Sequence, residues 1–179
     1  NLLGKTSGFD TERSLRPQLV AGLPKGEVDC IAVTTWSYIF DVTMEFVEEA
    51  RKRHKHVPIV LGGPHVTFVD EEVLETFSNS VDYIIRDEGE KTFPMLLAAL
   101  DAGAQPEALA AIPGLTWRRD GEIVRNPSGT VNEALDDLPY PAYHLIDVAQ
   151  YLACQPVLVV EAGRGCPYGC NFCSTTNMF

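Results

Sequence analysis

Three of the five cysteines in the chain lie within eight residues of one another, in the spacing C-x3-C-x2-C. Thiolates are the usual ligands of iron–sulfur clusters. Three thiolates hold three irons of a [4Fe–4S] cluster and leave the fourth iron open for another molecule. Gly165 and Gly169 permit the tight backbone that such a loop needs. The pattern predicts a [4Fe–4S] cluster on Cys166, Cys170 and Cys173.

Other chemistries of cysteine remain open at this point. A zinc site usually has four ligands, so Cys30 or a histidine would have to come from a distance as the fourth. A redox pair of the thioredoxin type needs only C-x2-C and no third cysteine. Structural cysteines in a core are a further alternative. An odd, clustered set without a secretion signal is not the framework of a disulfide-rich protein.

The first half of the chain alternates short apolar runs with amphipathic segments. Such alternation is typical of a parallel sheet covered by helices on both faces. We expect Pro94 in the first turn of its helix, where a missing amide hydrogen costs least. The predicted strands cover residues 30–35, 58–61 and 81–85, and the predicted helices cover residues 42–54, 70–76 and 91–100.

The carboxyl ends of parallel strands share one edge of a sheet, and ligands bind at that edge. Here the strands end at Thr34 and Thr35, at Gly62 and Gly63, and before Glu88. Threonine hydroxyls offer hydrogen bonds, and the two glycines let the backbone approach a flat ligand. The glycines serve equally well in a tight turn.

His65 and the acidic residues also have two interpretations. His65 either reaches a ligand or caps its own loop. Glu88 and Glu90 either accept hydrogen bonds from a ligand or lie at the start of the next helix, where the helix dipole favours negative charge.

After residue 103 the pattern changes. Residues 114–117 and 122–125 flank Asp120-Gly121, which predicts a hairpin. Residues 135–141 predict an extended linker, and residues 157–161 a strand that leads into the cysteines. The sequence thus divides into an α/β domain over residues 1–103, a hairpin and connector over 104–150, and a further unit that begins at 151 and runs to 179.

The cysteine loop resembles that of the radical SAM superfamily, through the EAGRGCP run at 161–167 and Phe172 before the third cysteine. Four further stretches, in order, resemble the subgroup with a cobalamin (B12)-binding domain. They are VLGGPH at 60–65, VDYIIRDEGE at 81–90, IPGLTW at 112–117 and LDDLPYP at 135–141. Asp87 departs from the glycine that the family often has there, and the D-x-H-x-x-G cobalt-ligand motif is absent from the sequence.

The resemblance implies a Rossmann-like parallel sheet of the cobalamin-binding type, then the hairpin and linker, then the start of a radical SAM (β/α) barrel. It implies S-adenosylmethionine (SAM) on the open iron, cleaved by one electron to a 5′-deoxyadenosyl radical. Phe172 would lie near the adenine, unless it belongs to the core, and Gly169 would lie beside the SAM. The implied cobalamin contacts are Thr34, Thr35, Gly62, Gly63, His65 and Glu88.

The resemblance implies an enzyme, the N-terminal portion of a cobalamin-dependent radical SAM methyltransferase that acts on an unactivated carbon. A radical SAM cyclase or rearrangement enzyme is the alternative within this class. A protein whose N-terminal domain is an interaction module without corrin is the alternative outside it. We expect the chain to be truncated at both ends and not to turn over by itself.

Composition limits the partners. With 14 basic and 25 acidic residues the net charge is −11, which argues against a nucleic-acid partner and against a tRNA methylthiotransferase. No apolar run approaches the ~20 residues of a membrane span, so a cytoplasmic location is expected. The expected partners are a small-molecule or natural-product substrate and an electron donor such as a flavodoxin or a ferredoxin.

Overall fold

The fold is that of a computed structural model, which describes residues 22–23, 25–129, 134–154, 157 and 163–175. The predicted strand at 157–161 lies outside the described residues except for Val157. The start of a barrel is therefore not visible in this structure.

The described residues form one five-stranded sheet in the order β1-β2-β3-β4-β5. The first three strands are parallel, with Ala32 opposite Val60 and Val60 opposite Tyr83. The last two are antiparallel, with Ile85 opposite Leu115. The strands are β1 (Ile31–Thr34), β2 (Ile59–Gly62), β3 (Tyr83–Ile85), β4 (Leu115–Arg119) and β5 (Glu122–Arg125).

Six α-helices have both ends within the described residues. They are α1 (Phe40–Arg53), α2 (Pro64–Phe68), α3 (Asp70–Thr76), α4 (Gly89–Asp101), α5 (Pro106–Ala110) and α6 (Val148–Cys154). The predicted helices correspond to α1, α3 and α4, whereas the short α2, α5 and α6 were not predicted. The placement of Pro94 was wrong, because α4 begins at Gly89 and Pro94 falls inside the helix, beyond its first turn.

Successive residues of each strand point to opposite faces of the sheet, and each face has its own core. Ile59 and Leu61 of β2 belong to a buried cluster with residues of α1, α2 and α3. Val60, between them, belongs to a second cluster with residues of α4 and α5. Helices therefore cover both faces, and the Rossmann-like fold class is confirmed.

The hairpin extends the sheet rather than standing apart from it. Asp120 (φ 53°) and Gly121 (φ 88°) both adopt positive φ, as the turn favoured by Asp-Gly requires, so the predicted hairpin is confirmed. Its first strand pairs with β3. The sheet therefore runs on past residue 103, where the sequence suggested the end of the α/β domain.

A buried ionic group ties the hairpin to the parallel strands. Asp70 accepts hydrogen bonds from Thr116 Oγ1 (2.6 Å) and Arg125 Nε (2.8 Å). Arg86 Nε lies 3.3 Å from Asp70 Oδ2, without a hydrogen bond between them. The side chain of Arg86 is 1% exposed, and its Nη2 donates to the backbone oxygen of Asn126. Burial and the charge of Arg125 lower the pKa of Arg86.

Candidate functional site

A cavity of about 610 Å³ lies at the carboxyl ends of the three parallel strands. Its volume is in the range of small-molecule sites. The cavity also covers part of the sheet face that contains Ala32 of β1 and Val60 of β2. On that same face Val60 packs with residues of α4. The three strand ends predicted to share one edge of the sheet contribute Thr34 and Trp36, Gly62 to Pro64, and Asp87 to Glu90. Phe93 of α4 and Arg164, from just before the cysteines, complete the lining.

Of the two strand-end threonines, Thr34 is exposed and lines the cavity. Thr35 is fully buried. Its hydroxyl donates to the Gly62 carbonyl oxygen (2.8 Å) and accepts from the Val66 amide (3.4 Å). Thr35 therefore holds the β2–α2 turn together, and this placement does not support its predicted contact with a ligand.

His65 also lies away from the cavity lining. Its Nδ1 is 3.0 Å from Ser37 Oγ, and its ring centroid is 4.1 Å from that of Phe40. The structure thus favours the loop-capping interpretation of His65, and a role as a ligand contact stays a prediction without support from its placement.

The two glycines have different surroundings. Gly63 has φ 97°, and a Cβ there would lie 2.6 Å from Thr34 Oγ1 and 2.8 Å from the backbone N and O of Thr35. The turn itself therefore requires Gly63. A Cβ on Gly62 would meet the Ile85 carbonyl oxygen at an ordinary 3.6 Å, so close packing does not explain Gly62.

Asp87 shows strain at the edge of the cavity. It adopts φ 60°, a left-handed conformation that glycine tolerates better, which agrees with the glycine that the resemblance leads us to expect there. Its amide donates to Thr67 Oγ1 (3.1 Å), which in turn donates to the Gly63 carbonyl oxygen (3.0 Å). Asp87 Oδ2 is buried without a hydrogen-bond partner in the structure.

The two glutamates bind an arginine. Arg164 Nη1 donates to Glu88 Oε1 (2.9 Å), and Arg164 Nη2 donates to Glu90 Oε1 (2.5 Å). Burial raises the pKa of Glu90, but the hydrogen bonds from Arg164 and its own backbone, with the charge of Arg164, outweigh that effect. The pKa therefore lies below its ordinary value. The sequence predicted the glutamates but not their partner, although Arg164 stands in the run that resembles the radical SAM loop.

The cysteines occupy an exposed loop. Cys166 and Cys170 are exposed free thiols, and Cys173 is half-buried. Hydrogen bonds with the side chain and backbone of Thr175, the former at 3.2 Å, lower the pKa of Cys173 and so favour the thiolate that iron requires. Within the described part of the chain, no three His, Cys, Asp or Glu side chains are grouped closely enough to hold a metal ion.

Three further residues of this loop, Gly165, Gly169 and Phe172, were singled out by the sequence. Gly165 adopts φ 78°, as expected for a tight turn, whereas Gly169 does not have a positive φ. Phe172 is 93% exposed, so it does not pack in the core of the described residues. The roles of Phe172 and Gly169 beside SAM stay predictions.

Comparison with known families identifies a domain in the first half of the chain. The family described as "B12 binding domain" matches residues 6–97. The chain belongs to the B12-binding domain family. Among the described residues of this domain, no helix has both the length and the apolar character needed to cross a membrane.

Curated relatives of this B12-binding domain are named as methyltransferases and as a cyclase. An uncharacterized methyltransferase of Pyrococcus horikoshii is 33% identical over 88% of this chain and 34% of its own length. The cobalamin-dependent radical SAM methyltransferase TokK of Streptomyces tokunonensis is 30% identical over 82% and 22%. The anaerobic magnesium-protoporphyrin IX monomethyl ester cyclase of Rubrivivax gelatinosus is 30% identical over 82% and 26%. The chain thus spans about a third or less of these relatives, and they confirm the expected subgroup.

A solved structure shares the fold. The radical S-adenosylmethionine methyltransferase TsrM of Kitasatospora setae, with cobalamin and a [4Fe-4S] cluster bound, aligns with a TM-score of 0.52 and 19% identity. The alignment covers 72% of this chain and 23% of that one.

Proposed function

We propose that this chain is the cobalamin-binding N-terminal portion of a radical SAM enzyme, a methyltransferase that acts on an unactivated carbon. The observation that carries the proposal is the cavity at the ends of β1, β2 and β3, which the segment before the cysteines also lines. In a chain of the B12-binding family, that arrangement brings a site for cobalamin next to a candidate cluster loop.

The lining fits a large, flat and partly polar ligand. Ala32, Gly62 and Gly89 have a small side chain or none and therefore leave room for a flat ligand in the cavity. Trp36 and Phe93 contribute aromatic side chains to the lining. The buried Asp87 Oδ2 supplies an acceptor for a donor group of the ligand. Thr34 supplies a hydroxyl at the same edge.

The cysteine loop would hold the second cofactor through Cys166, Cys170 and Cys173, with Phe172 and Gly169 on the SAM side. When bound, the cluster would supply the electron that cleaves SAM and cobalamin the methyl group for transfer, while the protein orients them. The electron would come from a flavodoxin or ferredoxin. The substrate would be a small molecule or natural product, and the protein would act in the cytoplasm.

A cyclase or rearrangement enzyme is the second candidate, favoured by the cyclase relative at the same 30% identity as TokK. Both candidates require cobalamin, so product mass separates them.

Equilibrium dialysis with hydroxocobalamin tests the proposal. Ala32 is exposed on β1 and lines the cavity, so Ala32→Trp fills the site without disturbing the core. The matched control is Ala108→Trp, at an exposed position of α5 outside the lining. We expect Ala32→Trp to weaken binding at least about tenfold, which corresponds to about 1.4 kcal/mol. Equal affinity in the two variants would place the corrin elsewhere, and no binding by the wild type would favour the interaction module.

A further inference from the structure

Arg164 joins two parts of the chain that are far apart in sequence. Its two ion pairs span 76 residues to Glu88 and 74 residues to Glu90. Arg164 is also two residues before Cys166, the first predicted cluster ligand. A single side chain therefore connects the cavity edge with the start of the cysteine loop.

Burial distinguishes this contact from an ordinary surface ion pair. The side chain of Glu88 is only 3% exposed, and that of Arg164 is 15% exposed. A buried carboxylate is costly without a cationic partner. Removing Arg164 should therefore raise the free energy of the folded state through Glu88. By contrast, most described residues after Arg164 are exposed. Among the described residues 163–175, Arg164 thus stands out as a partly buried residue that contacts the start of α4.

The start of α4 and the guanidinium of Arg164 define the geometry of this contact. Glu88 immediately precedes α4 and Glu90 lies in its first turn, so the helix holds both carboxylates in place. The planar guanidinium presents one nitrogen to each carboxylate, a fork that lysine cannot reproduce. Gly165 follows with φ 78°, a conformation that favours glycine.

We propose that Arg164 is a positioning residue that anchors the cysteine loop to Glu88 and Glu90, so that occupancy of the cavity by cobalamin orders the loop. This inference rests on the proposed function. Glu88, Glu90 and Arg164 all line the cavity, so a bound corrin excludes water from their ion pairs and strengthens them.

Hydrogen exchange measured by mass spectrometry tests the anchor in the full-length protein, purified without oxygen and examined with and without hydroxocobalamin. The reporting peptides cover residues 163–175 for the loop and residues 83–93 for the cavity. The variants are Arg164→Gln, Arg164→Lys and Glu88→Gln/Glu90→Gln. The matched control is Arg119→Gln, which removes an exposed arginine of the hairpin.

In the wild type, we expect hydroxocobalamin to slow exchange in both peptides. Arg164→Gln should exchange about tenfold faster in the loop, a factor that corresponds to about 1.4 kcal/mol. At a hydroxocobalamin concentration that saturates the cavity of the variant, it should lose the effect of hydroxocobalamin on the loop. Arg164→Lys should restore part of the protection of the loop from hydrogen exchange. The variant Glu88→Gln/Glu90→Gln should speed loop exchange by a factor similar to that of Arg164→Gln. Adding Arg164→Gln to that double variant should speed loop exchange less than Arg164→Gln does in the wild type, because the two ion pairs are already lost.

Loop exchange in Arg164→Gln equal to that of the wild type and of Arg119→Gln would overturn the inference. If Arg164→Gln also loosens the core, Glu90→Gln is measured in the same assay. This variant removes the more exposed of the two ion pairs and leaves Arg164 as the partner of Glu88. Loop exchange in Glu90→Gln equal to that of the wild type would then also overturn the inference. A wild-type cavity that hydroxocobalamin does not protect would instead overturn the proposed function and the coupling to cobalamin. Faster loop exchange in ligand-free Arg164→Gln would still support the anchor.

Discussion

Gly62 and Gly63 are adjacent, and the structure predicts opposite results for their replacement by alanine. Gly63 lies at φ 97° and ψ 177°, a region that is essentially restricted to glycine. Occupying it with alanine costs about 1–3 kcal/mol. The new Cβ would also lie 2.8 Å from the backbone N and O of Thr35, which cannot rotate away. Overpacking of that kind costs about 1–3 kcal/mol more.

We therefore expect Gly63→Ala to lower the free energy of unfolding by about 3 kcal/mol or more. Gly62→Ala should change it by no more than about 1 kcal/mol, because its Cβ meets only the Ile85 carbonyl oxygen at 3.6 Å. Urea denaturation followed by tryptophan fluorescence measures both, since Trp117 is 3% exposed in the core.

The pair also separates the two interpretations of the glycines. If Gly62 serves the ligand, Gly62→Ala should keep its stability and lose affinity for hydroxocobalamin. A loss of stability in Gly63→Ala below about 0.5 kcal/mol, the scatter of ordinary surface substitutions, would refute the argument from backbone geometry. Equal losses in the two variants would refute it as well.

Three further predictions concern other parts of the structure. Asp70→Asn should lower the free energy of unfolding by about 3 kcal/mol, because Arg86 then stays buried beside a neutral amide. Thr116→Val removes only a hydrogen bond to Asp70 and should lower it by about 1 kcal/mol, and equal losses in urea denaturation would contradict the ionic role of Asp70. Asp87→Gly should stabilise the ligand-free chain by about 1 kcal/mol or more, since it relieves a left-handed conformation and removes a buried oxygen without a hydrogen-bond partner. Asp120→Gly relieves the same kind of conformation but also removes an exposed ion pair with Arg119 (3.8 Å), so it should stabilise the chain less, and the reverse order would count against the reasoning. In protein without a cluster, iodoacetamide at pH 7.5 should modify Cys173 before Cys30, because Thr175 lowers the pKa of Cys173 whereas burial and Asp82 raise that of Cys30. Peptide mass spectrometry should show slower modification of Cys173 in Thr175→Val, and an unchanged rate would argue against the hydrogen bond between Cys173 Sγ and Thr175 Oγ1.

Local patterns predicted most of the parallel sheet, because apolar runs and helix periodicity are properties of neighbouring residues. The pleat explains the main error at the cavity edge. Thr34 and Thr35 are consecutive, so their side chains point to opposite faces of the sheet and only Thr34 lines the cavity. The sequence places both at a strand end but does not indicate which face the cavity occupies.

Long-range contacts account for what could not be predicted. The hairpin itself follows from Asp120-Gly121, but its pairing with β3 involves Asp70, Arg86 and Arg125, which are separated by up to 55 residues. The partnership of Arg164 with Glu88 spans 76 residues. Nothing in the local pattern of either segment specifies such a partner.

Metal content tests the central claim most directly. The full-length protein would be purified without oxygen and supplied with hydroxocobalamin, and iron and cobalt would be counted per chain. The comparisons are the Cys166→Ala/Cys170→Ala/Cys173→Ala variant and Ala32→Trp. With hydroxocobalamin at about five times the wild-type Kd, the account predicts about four irons and close to one cobalt in the wild type, loss of iron alone in the cysteine variant, and loss of more than half of the cobalt with the iron kept in Ala32→Trp. Iron that survives removal of the three cysteines, or cobalt that stays at the wild-type level in Ala32→Trp, would contradict it.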